Sequence, residues 1–227
     1  MSDLTVKYRN LWTEADSALR AGSYTADTLP RHGDPRWGLS LVVGIENETR
    51  SRIAQDLGPI ATALSPHHFV YSPENLHSTV RSLEGYQDEV PREQVSHYED
   101  QIRRALRGCP PIEIELVGLA GSKGGIFVCG YPNDGLTELR RRLHDRALAD
   151  GPRAFASNDY RNVRDTAHVS AAVFQAPVVP EQVIGELVAA RSEKEYGRVK
   201  VSALDLVSYS LDQGAITMNR LATITHE

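Results

Sequence analysis

The stretch Ser72-Pro-Glu-Asn-Leu-His-Ser-Thr-Val-Arg-Ser82 decides the fold. Its Pro-Glu-Asn portion favours a turn, and from Leu76 onward apolar residues alternate with polar ones, which predicts a strand. Residues i and i+2 of a strand point to the same side, so we expect His77 and Thr79 to present an imidazole beside a hydroxyl group. One such pair is common by chance and carries little information alone.

A second pair, His168 and Ser170, lies in the stretch Ala167-His-Val-Ser-Ala-Ala-Val-Phe174, which also reads as a strand. Two such pairs facing each other form a small symmetric site. Histidine titrates near neutrality, so one imidazole can accept a proton while the other donates one. The two hydroxyl groups can bond to phosphate oxygens. This chemistry needs no metal ion.

Hydrophobic periodicity and helix breakers predict the remaining elements. The predicted helices cover about residues 3–21, 47–64, 91–106, 136–149 and 180–191, and the other strands cover about 37–45, 69–71, 112–119, 125–131, 199–211 and 215–225. The second half loosely repeats the element order of the first. The pattern therefore indicates an α+β protein of two similar lobes, with mainly antiparallel sheets facing each other and helices outside.

Composition limits the class of protein. The chain has 227 residues and a net charge of −5, which fits one large domain or two small lobes and argues against a general nucleic-acid binder. No apolar run, residues 39–45 included, is long enough to cross a membrane, and the first residues lack a signal-peptide pattern. With only Cys109 and Cys129 there is no disulfide framework. We therefore predict a cytoplasmic protein with no membrane partner and leave its oligomeric state open.

The two motif stretches, together with residues 112–120, 125–130 and 204–209, resemble the 2H phosphoesterase superfamily, also called LigT-like or 2′-5′ RNA ligase-like proteins. The resemblance covers roughly residues 37–225 and is most specific in Pro-Glu-Asn-Leu-His-x-Thr at residues 73–79. It implies a bilobal α+β fold of two pseudo-symmetric lobes around a central cleft. The implied organisation is one bilobal domain over 37–227, preceded by a helical extension over 1–36.

The resemblance also implies the roles of the site residues. His77 and His168 would be the catalytic pair, and Thr79 and Ser170 would bind the phosphate. Arg81 matches a basic position that often follows the first motif, and it would share the face of that motif and neutralise phosphate charge. The alternative for Arg81 is an exposed surface arginine. The family chemistry implies no metal and no cofactor.

This chain departs from the family pattern around the second motif. Ala167 stands where proline is usual, and residues 171–173 lack the basic residue that often follows. A weaker phosphate clamp on that side favours a small substrate over a long RNA. The extension over 1–36 could cover one edge of the cleft or add an outer helix, and the outer helix is favoured.

The sequence therefore predicts a phosphodiesterase that opens a cyclic phosphodiester, such as a nucleoside 2′,3′-cyclic phosphate, by two-histidine acid–base catalysis. The pseudo-symmetry leaves open which histidine is the acid, with His168 slightly favoured as the base. Its partner would be a small nucleotide or cyclic phosphate, with RNA ends as a second candidate. Alternatives are cyclic oligonucleotides, 2′-5′ RNA linkages or a specialised metabolite phosphate at the same site, or a nucleotide-binding module without catalysis.

Other residues have a structural interpretation beside the functional one. The pair His67-His68 lacks further metal ligands at a known spacing, and Arg140-Arg-Arg142 is typical of a solvated helix face. Phe127 and Tyr209 are candidates for stacking a base near the cleft, although core packing is the default interpretation for both. The loop residues 158–160 and Arg164 are candidates for the lining of the cleft.

Overall fold

The computed structural model describes residues 3–27, 31–34, 36–64, 66–150, 163–175, 180–212 and 215–226. In chain order its elements are α1 (Asp3–Arg20), β1 (Ser40–Gly44), α2 (Asn47–Leu64), β2 (Phe69–Val70), a 3-10 turn (Pro73–Asn75), β3 (His77–Ser82), α3 (Arg92–Leu106), β4 (Glu113–Ser122), β5 (Gly125–Pro132), α4 (Asp134–Asp150), β6 (Val169–Val173), α5 (Glu181–Ala189), β7 (Glu195–Lys200), β8 (Ala203–Asp212) and β9 (Ala215–Thr225). Among the residues described, no helix is both long and apolar enough to cross a membrane.

The strands form one antiparallel sheet in the order β7-β4-β5-β6-β3-β1-β8-β9, and β2 pairs with β6. The sheet has two halves of four strands, which meet where β6 lies beside β3. A single residue pair, Ser78 with Val169, joins these two strands. The mixed fold with two related halves confirms the predicted class, and both motifs lie at the junction.

The two faces of the sheet have different neighbours. Along β1, Leu41 and Val43 belong to the main core, whereas Val42 belongs to a separate cluster on the opposite face. Thr79 is the cross-strand partner of Val42, and His77 precedes it by two residues. Since cross-strand partners share a face, the first motif points away from the main core.

Helix α1 does not have the predicted outer position. Its Tyr8 packs in one buried cluster with Phe127 and Cys129 of β5. Phe127 is the cross-strand partner of Ser170, so α1 covers the sheet face that carries the second motif. The favoured expectation that the extension adds an outer helix is therefore wrong for α1. The domain boundary after residue 36 stays a prediction, although Leu19 near the end of α1 joins the main core.

Sequence periodicity missed one strand of the described chain, β7. Its six residues, Glu-Tyr-Gly-Arg-Val-Lys, include three charged side chains, and the strand lies at the edge of the sheet beside β4. An edge strand needs backbone partners on only one side and tolerates charged residues. Its sequence therefore lacks the apolar alternation that marks a more buried strand.

Candidate functional site

The site is organised around the pair that joins β3 and β6. The Ser78 hydroxyl donates a 2.8 Å hydrogen bond to the carbonyl of Ala167, and Val169 is fully buried in the main core. These middle residues of the two motifs therefore point to the core side. In an antiparallel ladder, the flanking residues then share the other face, with His77 across from Ser170 and Thr79 across from His168.

Local backbone geometry holds His77 in one orientation. The 3-10 turn before β3 brings the carbonyl of Asn75 to 2.8 Å from Nδ1 of His77. A carbonyl can only accept, so Nδ1 carries a proton and Nε2 is left to face the site. Burial lowers the pKa of His77, the Asn75 carbonyl opposes this shift, and the positive charge of Arg164 adds to it. His77 is therefore neutral at pH 7.

Aromatic side chains surround His77. The hydroxyl of Tyr209 lies 3.0 Å from Nε2 of His77, and burial raises the pKa of Tyr209 far above its usual range. The phenol therefore stays a neutral donor. The ring of Tyr71 lies 5.7 Å from the imidazole, and Trp37 packs at 5.7 Å on Tyr209. Tyr209 is buried, as predicted by default, but it also contacts a motif histidine.

His168 has a matching aromatic neighbour in the other half. The ring of Phe127 lies 5.0 Å from its imidazole, and Oγ1 of Thr166 lies 3.3 Å from its Nδ1. Burial, followed by the nearby charges of Arg164, Arg140 and His77, lowers the pKa of His168 to about 3. Both histidines are thus neutral at pH 7, and a bound phosphate anion would raise the pKa of each.

Arg81 is buried, with 4% of its surface exposed, so its alternative interpretation as an exposed arginine is wrong. A β-bulge interrupts the strand just before it. Thr79 pairs with Val42, but Arg81 pairs with Leu41, which leaves Val80 as the extra residue. The bulge breaks the strict alternation on which the predicted position of Arg81 beside the motif depends.

Arg140 of α4 is a site residue that the sequence did not reveal. Only 2% of it is exposed, and its guanidinium donates to the carbonyls of Val80 at 3.1 Å, Thr79 at 2.8 Å and Arg164 at 3.0 Å. It therefore ties the end of the first motif to the segment before the second. The predicted solvated helix face is wrong here.

The signal that could have revealed Arg140 is helical spacing. Leu136 and Leu143 are both buried, and Arg140 lies one turn from each on the same face of α4. Of the neighbouring arginines, Arg142 donates to carbonyls at the end of α3 and just after it, while Arg141 is more than half exposed and pairs with two carboxylates. Only Arg141 fits the predicted solvated face.

A cavity of about 320 Å³ adjoins the second motif. Its lining comes from α1, from Asp27, from the β4–β5 hairpin and β5, and from β6 with the segment before it, and it includes Lys7, Tyr8, Leu11, Thr166, His168 and Ser170. The first motif does not line it. Helix α1 therefore forms one wall of the space next to His168.

The remaining candidates differ in outcome. Nδ1 of His68 accepts a 3.1 Å hydrogen bond from the backbone of Gln175. Across the described ranges, no group of side chains could hold a metal ion. Arg164 contributes its carbonyl to Arg140 and its charge to both motif histidines. The candidates at residues 158–160 lie outside the described residues.

Known proteins match the chain in sequence pattern and in fold. Residues 50–213 match the family model of the 2′-5′ RNA ligase superfamily. Two similar solved structures are TT0787 of Thermus thermophilus (18% identity, 83% of this chain and 97% of that chain, TM-score 0.60) and Escherichia coli LigT complexed with 3′-AMP (18% identity, the same coverage, TM-score 0.55). At these identities the likeness shows the fold alone. Among curated proteins, none matches the sequence significantly.

Proposed function

The chain belongs to the 2′-5′ RNA ligase superfamily, and we propose that it is a metal-independent phosphodiesterase that opens a small cyclic phosphodiester, such as a nucleoside 2′,3′-cyclic phosphate. Membership of this superfamily supports a phosphoesterase-type activity. One observation carries the finer proposal. His77 and His168 flank the Ser78–Val169 pair on one face of the sheet, each beside a hydroxyl residue, and each has its pKa lowered by burial.

In the proposed reaction, water attacks phosphorus and the bond to one ribose oxygen breaks. The bound phosphate anion raises the pKa of His77, which takes up a proton on Nε2 before the reaction; His168 then takes the proton from water, and His77 gives its proton to the departing oxygen. The contacts favour this assignment. The Asn75 carbonyl accepts from Nδ1 of His77 and so supports its protonated form, whereas the charges of Arg164 and Arg140 disfavour protonated His168.

The phosphoryl charge needs fixed donors. The hydroxyls of Thr79 and Ser170 would each donate a hydrogen bond to a non-bridging oxygen. Arg140 donates a hydrogen bond to the Thr79 carbonyl, and the Ser78–Ala167 hydrogen bond joins the two motifs. These contacts hold the backbone that carries both hydroxyl donors in place. Donors held in place before the reaction need little reorganisation as charge develops. The predicted contact of Arg81 with phosphate stays a prediction.

A small nucleotide is the favoured substrate. LigT, which shares this fold, was crystallised with 3′-AMP and with phosphate. The net charge of −5 also suits a small substrate better than a long polyanion. Candidates that keep the same site are cyclic dinucleotides and 2′-5′ oligoadenylate.

The test is turnover of a phosphodiester panel with EDTA present. The panel holds 2′,3′- and 3′,5′-cyclic nucleotides, cyclic dinucleotides and 2′-5′ oligoadenylate. His77→Ala and His168→Ala are compared with His67→Ala, which removes an exposed histidine as the matched control. We expect one substrate class to be cleaved, either motif substitution to lower kcat at least about a hundredfold, and the control to act like wild type.

Two results would overturn the proposal. Turnover that needs an added metal ion would exclude the metal-free mechanism. Nucleotide binding without turnover of any panel member would favour a binding module that keeps the cleft.

A further inference from the structure

Helix α1 is fixed to the backbone that leads into the second motif. The Tyr8 hydroxyl donates a 2.7 Å hydrogen bond to the Gly130 carbonyl and accepts a 3.2 Å bond from the Gly130 amide. The Gly130 carbonyl also accepts from the amide of Ala167, which precedes His168. One tyrosine hydroxyl therefore joins α1 to the point where β5 meets the second motif.

Two further contacts hold α1 near His168. Lys7 lies 2.6 Å from Asp165, which precedes the Thr166 that contacts His168. The ring of Tyr8 packs at 5.7 Å on Phe127, and the ring of Phe127 also lies 5.0 Å from the imidazole of His168. The position of α1 and that of the imidazole are thus coupled through direct contacts.

The cavity that α1 encloses has the size and chemistry of a small-molecule subsite. Its volume, about 320 Å³, is at the lower end of the range of ligand pockets. Leu11 on α1 and Ala172 and Val173 on β6 give it apolar walls, while Ser170 and His168 supply polar groups. Such a space suits one nucleoside unit whose phosphate lies at the motif.

We propose that α1 forms one wall of a nucleoside subsite beside His168 and Ser170, and that this wall restricts the substrate to a single nucleotide. This inference rests on the proposed function for the phosphate position. A cyclic phosphate at the end of an RNA chain would carry further nucleotides, and α1 takes up part of the space beside the second motif that they would need. The mononucleotide is therefore the better substrate.

Graded filling of the cavity tests the subsite. Leu11→Phe and Leu11→Trp enlarge a side chain of the cavity wall that is only partly buried, so the fold should tolerate both. Val6→Trp is the matched control, since Val6 lies on the same helix, is 43% exposed and does not line the cavity. Thermal unfolding of all three variants checks that each is folded.

The readouts are steady-state kinetics with a 2′,3′-cyclic mononucleotide and binding of 3′-AMP by calorimetry. We expect Leu11→Trp to raise KM and the Kd of 3′-AMP about tenfold or more, with a smaller rise for Leu11→Phe and none for Val6→Trp. Wild type should also cleave the mononucleotide with a kcat/KM at least about tenfold above that of a trinucleotide ending in the same cyclic phosphate.

The outcomes separate the subsite from the proposed function. If wild type is active and both Leu11 variants have the KM and the Kd of Val6→Trp, the proposed subsite is wrong, while the proposed phosphodiesterase function is unaffected. Equal cleavage of the trinucleotide would overturn the size restriction. If wild type cleaves no substrate, the proposed phosphodiesterase function is wrong, and the binding of 3′-AMP alone then tests the subsite. Binding weakened only by the Leu11 variants would support the subsite, and binding that is absent or unaffected would overturn it.

Discussion

The Tyr209 hydroxyl lies 3.0 Å from Nε2 of His77, while Nδ1 of the same imidazole is bonded to the Asn75 carbonyl. Both ring nitrogens of this buried histidine therefore have hydrogen-bond partners within the protein. Because the carbonyl fixes the proton on Nδ1, Tyr209 must donate to the lone pair on Nε2. A donor at that position stabilises the neutral imidazole.

Tyr209→Phe removes this donor and keeps the ring that packs against Trp37. The neutral form of His77 then loses a hydrogen bond, so its pKa should rise. An unsatisfied buried acceptor also lowers the free energy of unfolding by about 1–3 kcal/mol. A histidine NMR titration and urea unfolding measure the two effects. Tyr71→Phe, which alters another tyrosine packed on His77, is the control, and an equal pKa rise there would contradict the interpretation.

The depressed pKa values predict loss of stability in acid. In the unfolded chain histidine takes up a proton near pH 6.5, but folded His77 and His168 do so only at lower pH. Unfolding therefore takes up protons below about pH 6.5, and the free energy of unfolding falls as the pH drops toward the folded pKa values. The slope is at most about 1.4 kcal/mol per pH unit for each histidine.

Urea unfolding at several pH values between 7.5 and 4.5 measures this slope. His168→Gln should flatten it, because glutamine does not titrate. His67→Gln replaces an exposed histidine and should leave the wild-type slope. An unchanged slope in His168→Gln would show that His168 protonates alike in the folded and unfolded chain.

The motif strands could be predicted from sequence because local patterns specify them. A Pro-Glu-Asn turn followed by alternation marks β3, which begins at His77. Helical periodicity likewise marks α1 over nearly its full length. Periodicity shows that α1 has an apolar stripe, but it does not show which surface that stripe meets. The contact of Tyr8 with β5 depends on tertiary packing and has no local signal.

Arg140 shows a second limit of local patterns. Three consecutive arginines favour a solvated face, since a buried guanidinium needs several partners to offset the loss of water. Those partners are the carbonyls of Val80, Thr79 and Arg164, which are distant in sequence and brought together only by the fold. The bulge at Val80 changes the strand pairing of Arg81, and the alternation of polar and apolar residues does not predict it either.

Arg140→Met tests this buried guanidinium. Methionine keeps much of the volume but leaves three carbonyls without their donor, so we expect the free energy of unfolding to fall by about 3–5 kcal/mol. Loss of the positive charge should also raise the pKa of His168, which NMR titration measures. Arg141→Met is the control, since this neighbour is exposed and should change stability by less than about 0.5 kcal/mol. Equal losses in the two variants would argue against the structural role of Arg140.

A substitution at Gly130 tests the contact between β5 and the residue before the second motif. A Cβ at this position would lie 2.0 Å from the Ala167 carbonyl oxygen, and no flexible side chain could yield to relieve the contact. Gly130→Ala must therefore push β5 away from the residue before His168 and loosen the backbone that Tyr8 holds. We expect the free energy of unfolding to fall by about 1–3 kcal/mol and the amides of Gly130 and Ala167 to exchange faster.

Gly185→Ala is the matched control for that substitution. Gly185 lies inside α5, and a Cβ there would meet only the side chains of Asp16 and Arg20, at ordinary contact distances of 3.5 Å and 3.8 Å. Alanine has the higher helix propensity, so this variant should be more stable by about 0.5–1 kcal/mol. The two glycine substitutions should thus shift the urea midpoint in opposite directions. A Gly130→Ala variant as stable as wild type would mean that β5 and the second motif can separate freely, and α1 would then have no fixed position beside His168.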